Sequence, residues 1–215
     1  MKSLIIFLVV CFTFQSCENK VERNQKDSIK AKQKINLKTI TKNEKSELEA
    51  EISKIIVAFE NKDEKTINSY IDKNIGLYLI PGPGTLLHFE VLEKIDFTMS
   101  GIAYHNFGKQ NPANYKIKYE EFPRYNCETF EWNKYGIFVA TKYGSILNGI
   151  IENPQNKVEG KIYSEDEIRI VKNIDKITKS VISTTKDGDI DFGIAKIKGK
   201  YIITYLDIHE SYCDI

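Results

Sequence analysis

The sequence predicts an α+β domain in which N-terminal helices pack on a mainly antiparallel sheet. Three observations point there. Leu48, Ile52, Ile55, Ile56 and Phe59 recur at the spacing of one helical face. From Tyr115 the pattern switches to alternation, Tyr115, Ile117 and Tyr119 interleaving with Lys116, Lys118 and Glu120, as in a half-exposed strand. The end of the chain reads as three antiparallel strands, Val181 to Thr185, Asp191 to Ile197 and Tyr201 to His209, with Asp187-Gly188 and Gly199-Lys200 as turns.

The chain opens with Lys2, an apolar run from Leu4 to Phe14, and then Gln15-Ser16-Cys17. A basic start, a short apolar core and a small residue before a cut is the layout of a secretory signal peptide. The run is 11 residues long, short of the roughly 20 that a membrane-spanning helix needs. Phe14-Gln15-Ser16-Cys17 resembles a bacterial lipobox, with Ser16 in the small-residue slot. The resemblance to bacterial lipoproteins implies a signal peptide over 1–16 and a diacylglyceryl thioether, with palmitate-type chains, on the sulfur of Cys17. It also implies a lipid-anchored place in the bacterial cell envelope, facing the periplasm or the outside. Residues 18–43 hold few apolar residues, no aromatic and many lysines, too little to bury for order. Residues 17–44 are therefore expected to be the lipidated cysteine and a flexible tether, and 45–215 one α+β domain. The tether's basic surplus reads as a solvated spacer first and as a contact for anionic headgroups second.

Within the domain, a second helix is expected after Asn61-Lys62, with Asp63 as its N-cap and Ile67, Tyr70 and Ile71 facing inward. Ile75 to Ile80 reads as a strand stopped by Pro81-Gly82-Pro83-Gly84. Leu86 to Phe97 fits a helix through Leu87, Val91, Leu92 and Ile95, or a strand over His88 to Leu92. Asn106 to Asn114 reads as a loop, Phe130 to Trp132 and Ile137 to Thr141 as strands joined by Asn133-Lys134, and Asn148 to Gly160 as a polar connection. Ser164-Glu165-Asp166-Glu167 resembles a capping box opening a helix to about Ile177, although Ile168 and Ile170 also suit a strand. The last strand is apolar on both faces, Ile202, Leu206 and Ile208 against Tyr201, Ile203 and Tyr205. Such a strand belongs near the middle of a sheet covered on each side. The helix-helix-strand order, Asn61-Lys62-Asp63 and the sheet-ending Ile208-His209-Glu210 resemble the NTF2-like superfamily and lipoproteins of similar plan. That resemblance implies a bent sheet forming a cone around helices, and it carries no activity, because the superfamily mixes enzymes, binders and structural modules.

Beyond residue 16 the chain holds 30 basic and 30 acidic residues, which gives no electrostatic reason for a nucleic-acid partner. With Cys11 in the signal and Cys17 lipidated, Cys127 and Cys213 remain. An oxidising compartment favours a disulfide between them, the alternative being two unpaired thiols.

Chemical motifs are sparse. Asp187-Gly188-Asp189-Ile190-Asp191 resembles part of a calcium loop, but an EF-hand alignment puts Ser183 first and Ile194 twelfth, where carboxylates are needed. An Asp-Gly hairpin explains the same letters. His88, His105 and His209 lack zinc spacing, and no metal or cofactor is expected. Asp207 and His209 are two apart and share a strand face, as ligands, an acid–base pair or ordinary hydrogen-bonding residues. Glu120, Glu121, Glu128 and Glu131 flank aromatics, as in a sugar cleft or on the wet face of a sheet. Tyr115, Tyr119, Phe122, Tyr125, Phe130, Trp132, Tyr135, Phe138 and Tyr143 read as core more readily than as a binding platform. With no nucleophile elbow, P-loop or dinucleotide fingerprint, the expected function is non-catalytic binding of a small molecule or protein at the envelope. The alternatives are an interaction lipoprotein with no pocket and a hydrolase-like enzyme using Asp207 and His209.

Overall fold

The computed structural model describes residues 42–82, 86–110, 115–158 and 162–209. Helix α1 (Lys42–Glu60) buries Leu48, Ile52, Ile55, Ile56 and Phe59 along one side, as their spacing predicts. Helix α2 (Glu64–Ser69) starts at its N-cap Asp63, whose carboxylate accepts from the Thr66 backbone N–H and hydroxyl and so satisfies a donor that a helix start leaves open. The strands are β1 (Leu77–Ile80), β2 (Glu90–Leu92), β3 (Ile117–Tyr119), β4 (Tyr125–Asn126), β5 (Glu131–Trp132), β6 (Gly136–Val139), β7 (Lys179–Thr184), β8 (Asp189–Ile197) and β9 (Lys200–Asp207). Helices α3 (Ile146–Glu152), α4 (Pro154–Val158) and α5 (Glu165–Asp175) fall between β6 and β7.

Among the described residues seven strands form one sheet in the order β2-β1-β9-β8-β7-β6-β3, and β4 and β5 pair separately. β1–β9 and β3–β6 run parallel and the other neighbours antiparallel, so the class is α+β with a mixed, mostly antiparallel sheet. On one face, Leu79, Leu206, Phe192, Val181 and Val139 line up in register across five strands and pack under α1 and α2. Burying each such side chain contributes roughly 1.5–3 kcal/mol. The opposite face has two separate covers. Tyr78, Ile80 and Tyr205 meet Leu147, Ile150 and Ile151 of α3 and Val171 and Ile174 of α5. Phe138 and Ile182 meet Trp132 of the β4–β5 hairpin, with Phe122, Tyr125 and Tyr135. The register row Phe138, Ile182, Asp191, Asp207, Ile80 runs from one cover to the other, so two carboxylates occupy the gap between them.

The structure corrects four expectations. Residues 146–158 are helical instead of a plain polar connection: the Ser145 hydroxyl accepts from the Leu147 N–H, and Leu147, Ile150 and Ile151 dock on the sheet. The strands at 131–132 and 136–139 are not a hairpin, because β5 pairs with β4 while β6 joins β7 and β3. The final turn is Lys198-Gly199, both left-handed (φ 49° and 83°), one residue earlier than expected and suited to the twist of a two-residue hairpin. A bulge in β8–β9 sets Gly193 opposite Tyr205 and Ile194 opposite Ile203, leaving Thr204 as the extra residue. Ile203 therefore joins Leu206 and Ile208 under α1 and α2, while Tyr205 turns to the other face.

Two open readings are settled as well. Residues 165–175 are a helix with a reciprocal Ser164–Glu167 capping box, and within 86–97 the regular element is β2. β9 lies inside the sheet, with a cover on each face, as its two apolar faces predict. The signal expected over 1–16, Cys17 and the expected tether as far as residue 41 lie outside the described residues, as do Glu210 to Ile215 with Cys213, while residues 42–44 of that expected tether belong to α1. No described helix is long and apolar enough to cross a membrane.

Candidate functional site

A cleft of about 340 Å³ opens where three connections meet: the loop at His105–Asn106, the β4–β5 hairpin and the β7–β8 turn. The loop and the turn are clasped directly. Asn106 Nδ2 donates to the Asp187 carbonyl, and the Gly188 Cα faces the Asn106 carbonyl so closely that any side chain there would overlap it. Thr185 closes the turn, its hydroxyl donating to the Gly188 carbonyl and accepting from the Asp187 and Gly188 N–H groups. His105 is buried beneath, with Nε2 3.0 Å from the Asp189 carbonyl and its ring edge-on to Phe107 at 4.7 Å. Gln110 anchors the same loop by donating from Nε2 to Ser183 Oγ and the Thr184 carbonyl.

The hairpin supplies the aromatic wall. Trp132 is nearly buried and stands edge-on to Tyr125 at 5.2 Å, while Tyr135 is half-buried beside them. In the turn, Asn126 Oδ1 accepts from the Glu128 and Thr129 N–H groups. The turn closes on Phe130, which has φ 55° and a 72% exposed side chain. Glu131, Lys186, Asp187 and Asp189 complete the lining. A volume in this range, flat aromatic walls and a few polar groups are the usual make-up of a small-molecule site.

Two residues further along β8 from Asp189 lies Asp191, with Asp207 directly opposite on β9. The Tyr205 hydroxyl donates to Asp191 Oδ1 at 3.0 Å, and Asp207 Oδ1 accepts from the His209 backbone N–H at 2.9 Å. Burial pushes the Asp191 carboxyl well above the usual carboxylate range, the charge of Asp207 adds to this, and Tyr205 opposes it. Burial likewise raises Asp207 to about 6, Asp189 reinforcing the shift while His209 and His105 oppose it. Two carboxyl groups facing each other across a strand pair cannot both ionise freely. Burial also raises the Tyr205 phenol, and the Asp191 charge raises it further.

Asp207 and His209 do come together, the His209 backbone N–H donating to Asp207 Oδ1. His105 and Asp191 join their surroundings, while His88 sits beside the Leu86 carbonyl. Among the described residues no group of three or more His, Cys, Asp or Glu could hold a metal ion. Asp187-Gly188-Asp189 forms the hairpin turn and cleft rim. The aromatic set divides: Phe138 and Trp132 are buried, Phe130 and Tyr143 exposed, and Tyr125, Phe130, Trp132 and Tyr135 line the cleft. Glu120, Glu121, Glu128 and Glu131 are all exposed, Glu131 at the cleft. Cys127 lies in the hairpin turn, and Cys213, its expected disulfide partner, lies outside the described residues.

The sequence reading did not foresee the Asp191–Asp207 pair. The available signal was an aspartate beside the apolar stretch of each of two strands, Asp191 in β8 and Asp207 at the end of β9, where an unpaired charge is costly. No protein-family model, curated protein or solved structure matches this chain.

Proposed function

We propose that the domain is a non-catalytic binding module of an envelope lipoprotein, holding a small molecule in the cleft between the His105 loop, the β4–β5 hairpin and the β7–β8 turn. The observation that carries this reading is the aromatic lining: Tyr125, Phe130, Trp132 and Tyr135 offer ring surface to one 340 Å³ space. Lipid on Cys17 and a signal over 1–16 would place the module at the membrane, and the NTF2-like cone is the fold proposed for it. The test is native mass spectrometry of the protein extracted from its own membranes without reductant. The expected result is lipid mass on Cys17 and a co-purifying small molecule. A lipidated chain with an empty cleft would instead favour the interaction lipoprotein.

A second reading has its own support. Asp191 and Asp207 share one face with Tyr205 nearby and proton affinities raised toward neutrality, and a raised carboxyl suits a general acid in a hydrolase. Here Asp207→Asn would abolish turnover of a chromogenic substrate while leaving the fold intact. An absence of hydrolysis by the wild-type chain across a panel of glycosides and esters would sink this alternative.

A further inference from the structure

The cleft carries more negative charge than shape recognition of a neutral ligand requires. Glu131, Asp187 and Asp189 line it against a single cation, Lys186. Tyr125, Phe130, Trp132 and Tyr135 line the same space, and the face of an aromatic ring attracts a cation. Carboxylates and ring faces together repel anions and attract a desolvated cation.

Phe130 is the independent observation. The residue closing this kind of hairpin turn is left-handed, a position that glycine or asparagine fills without strain. Here a phenylalanine holds φ 55° with its ring 72% exposed at the cleft. Core burial does not account for the side chain and turn geometry disfavours it. A large aromatic ring left exposed at the edge of a cavity fits a ligand-gripping role.

We infer that the cleft takes an organic cation, an amine or quaternary ammonium group, with Phe130 as the ring that stacks over it. The inference rests on the binding reading above and names the ligand class for that same site. Glu131, Asp187 and Asp189 supply the counter-charge, and Trp132 and Tyr125 form the wall behind.

Trp132 is the single tryptophan of the chain, so its fluorescence reads the cleft directly. The full chain, purified without reductant, is titrated with choline, with the neutral isostere carrying carbon in place of the ammonium nitrogen, and with cellobiose. The expected result is a saturable change with choline, about tenfold weaker binding of the isostere, and an affinity for choline that falls as salt rises. Phe130→Gly and Phe130→Asn, both suited to the left-handed position, should lose about tenfold in choline affinity with no fall in thermal midpoint. Equal affinity for the isostere, or a response to cellobiose alone, overturns the cation inference and leaves the cleft a binding site. No response to any of the three also overturns it, and the co-purification test then decides separately whether the binding reading stands. Unchanged choline affinity in both folded Phe130 variants overturns the role of that ring.

Discussion

Asp207 is where sequence, packing and chemistry meet on one side chain. Its carboxyl is raised to about 6 in the fold against an ordinary value of 3.8, chiefly by burial. The folded state therefore holds the proton more tightly than the unfolded chain does. The corresponding stability is fully present below about pH 4 and is lost as pH rises through about 6. Asp207→Asn keeps an Oδ1 to accept from the His209 N–H and removes the charge. We expect it to stabilise the protein by roughly 1–3 kcal/mol at pH 7, with no gain near pH 4. Urea unfolding at a series of pH values measures this, and a variant that is no more stable at pH 7 would refute the burial account. That Asp207 and His209 lie close was legible from their spacing. Their partner Asp191 was not, because cross-strand register joins residues far apart in sequence.

At the scale of elements, short-range chemistry carried most of the sequence reading. The Ser164–Glu167 capping box formed as its letters suggest, and Ser164→Ala is expected to cost about 1 kcal/mol with little change in the β4–β5 hairpin. Thermal unfolding followed by circular dichroism checks the loss, and Trp132 fluorescence checks the hairpin. Gly193 is a different case. It faces Thr204 and the Tyr205 ring across the β8–β9 bulge, and an added methyl would overlap both. Gly193→Ala should cost roughly 1–3 kcal/mol by overpacking and weaken the Tyr205–Asp191 bond. Denaturant titration gives the first effect, and a shift of the Tyr205 phenol titration gives the second. A neutral outcome would mean that the bulge can slide. The bulge left no local trace in the sequence, because one extra residue within an apolar strand looks like uninterrupted alternation. The 146–158 helices were missed for the opposite reason: Asn148, Gly149, Asn153 and Asn156 hide three apolar residues whose reward comes only from docking.

At the scale of the whole molecule, the sheet is an insulated layer with apolar cover on both faces, interrupted at the Asp191–Asp207 row. Cys127 lies in the turn of the hairpin that forms part of that cover. If Cys213 is its partner, the closed loop spans about 87 residues and the bond stabilises the fold by at most roughly 4 kcal/mol on the chain-entropy model. Cys127→Ser, Cys213→Ser and the double variant should then lose the same amount of stability, measured by urea unfolding without reductant. Unequal single variants would exclude the pairing.

The sequence by itself determined the α+β class, the amphipathic stripe of α1, the Asp63 and Ser164 caps, and the interior place of β9. Each depends on neighbours within a turn of helix or a few strand positions, so the information is local. Tertiary structure alone decided the parallel insertion of β9 beside β1, the bulge that sends Tyr205 to the far face, the aspartate pair, and the cleft where three distant connections meet. These depend on register and on burial against remote partners, whose favourable energy appears only after the chain has closed its long loops.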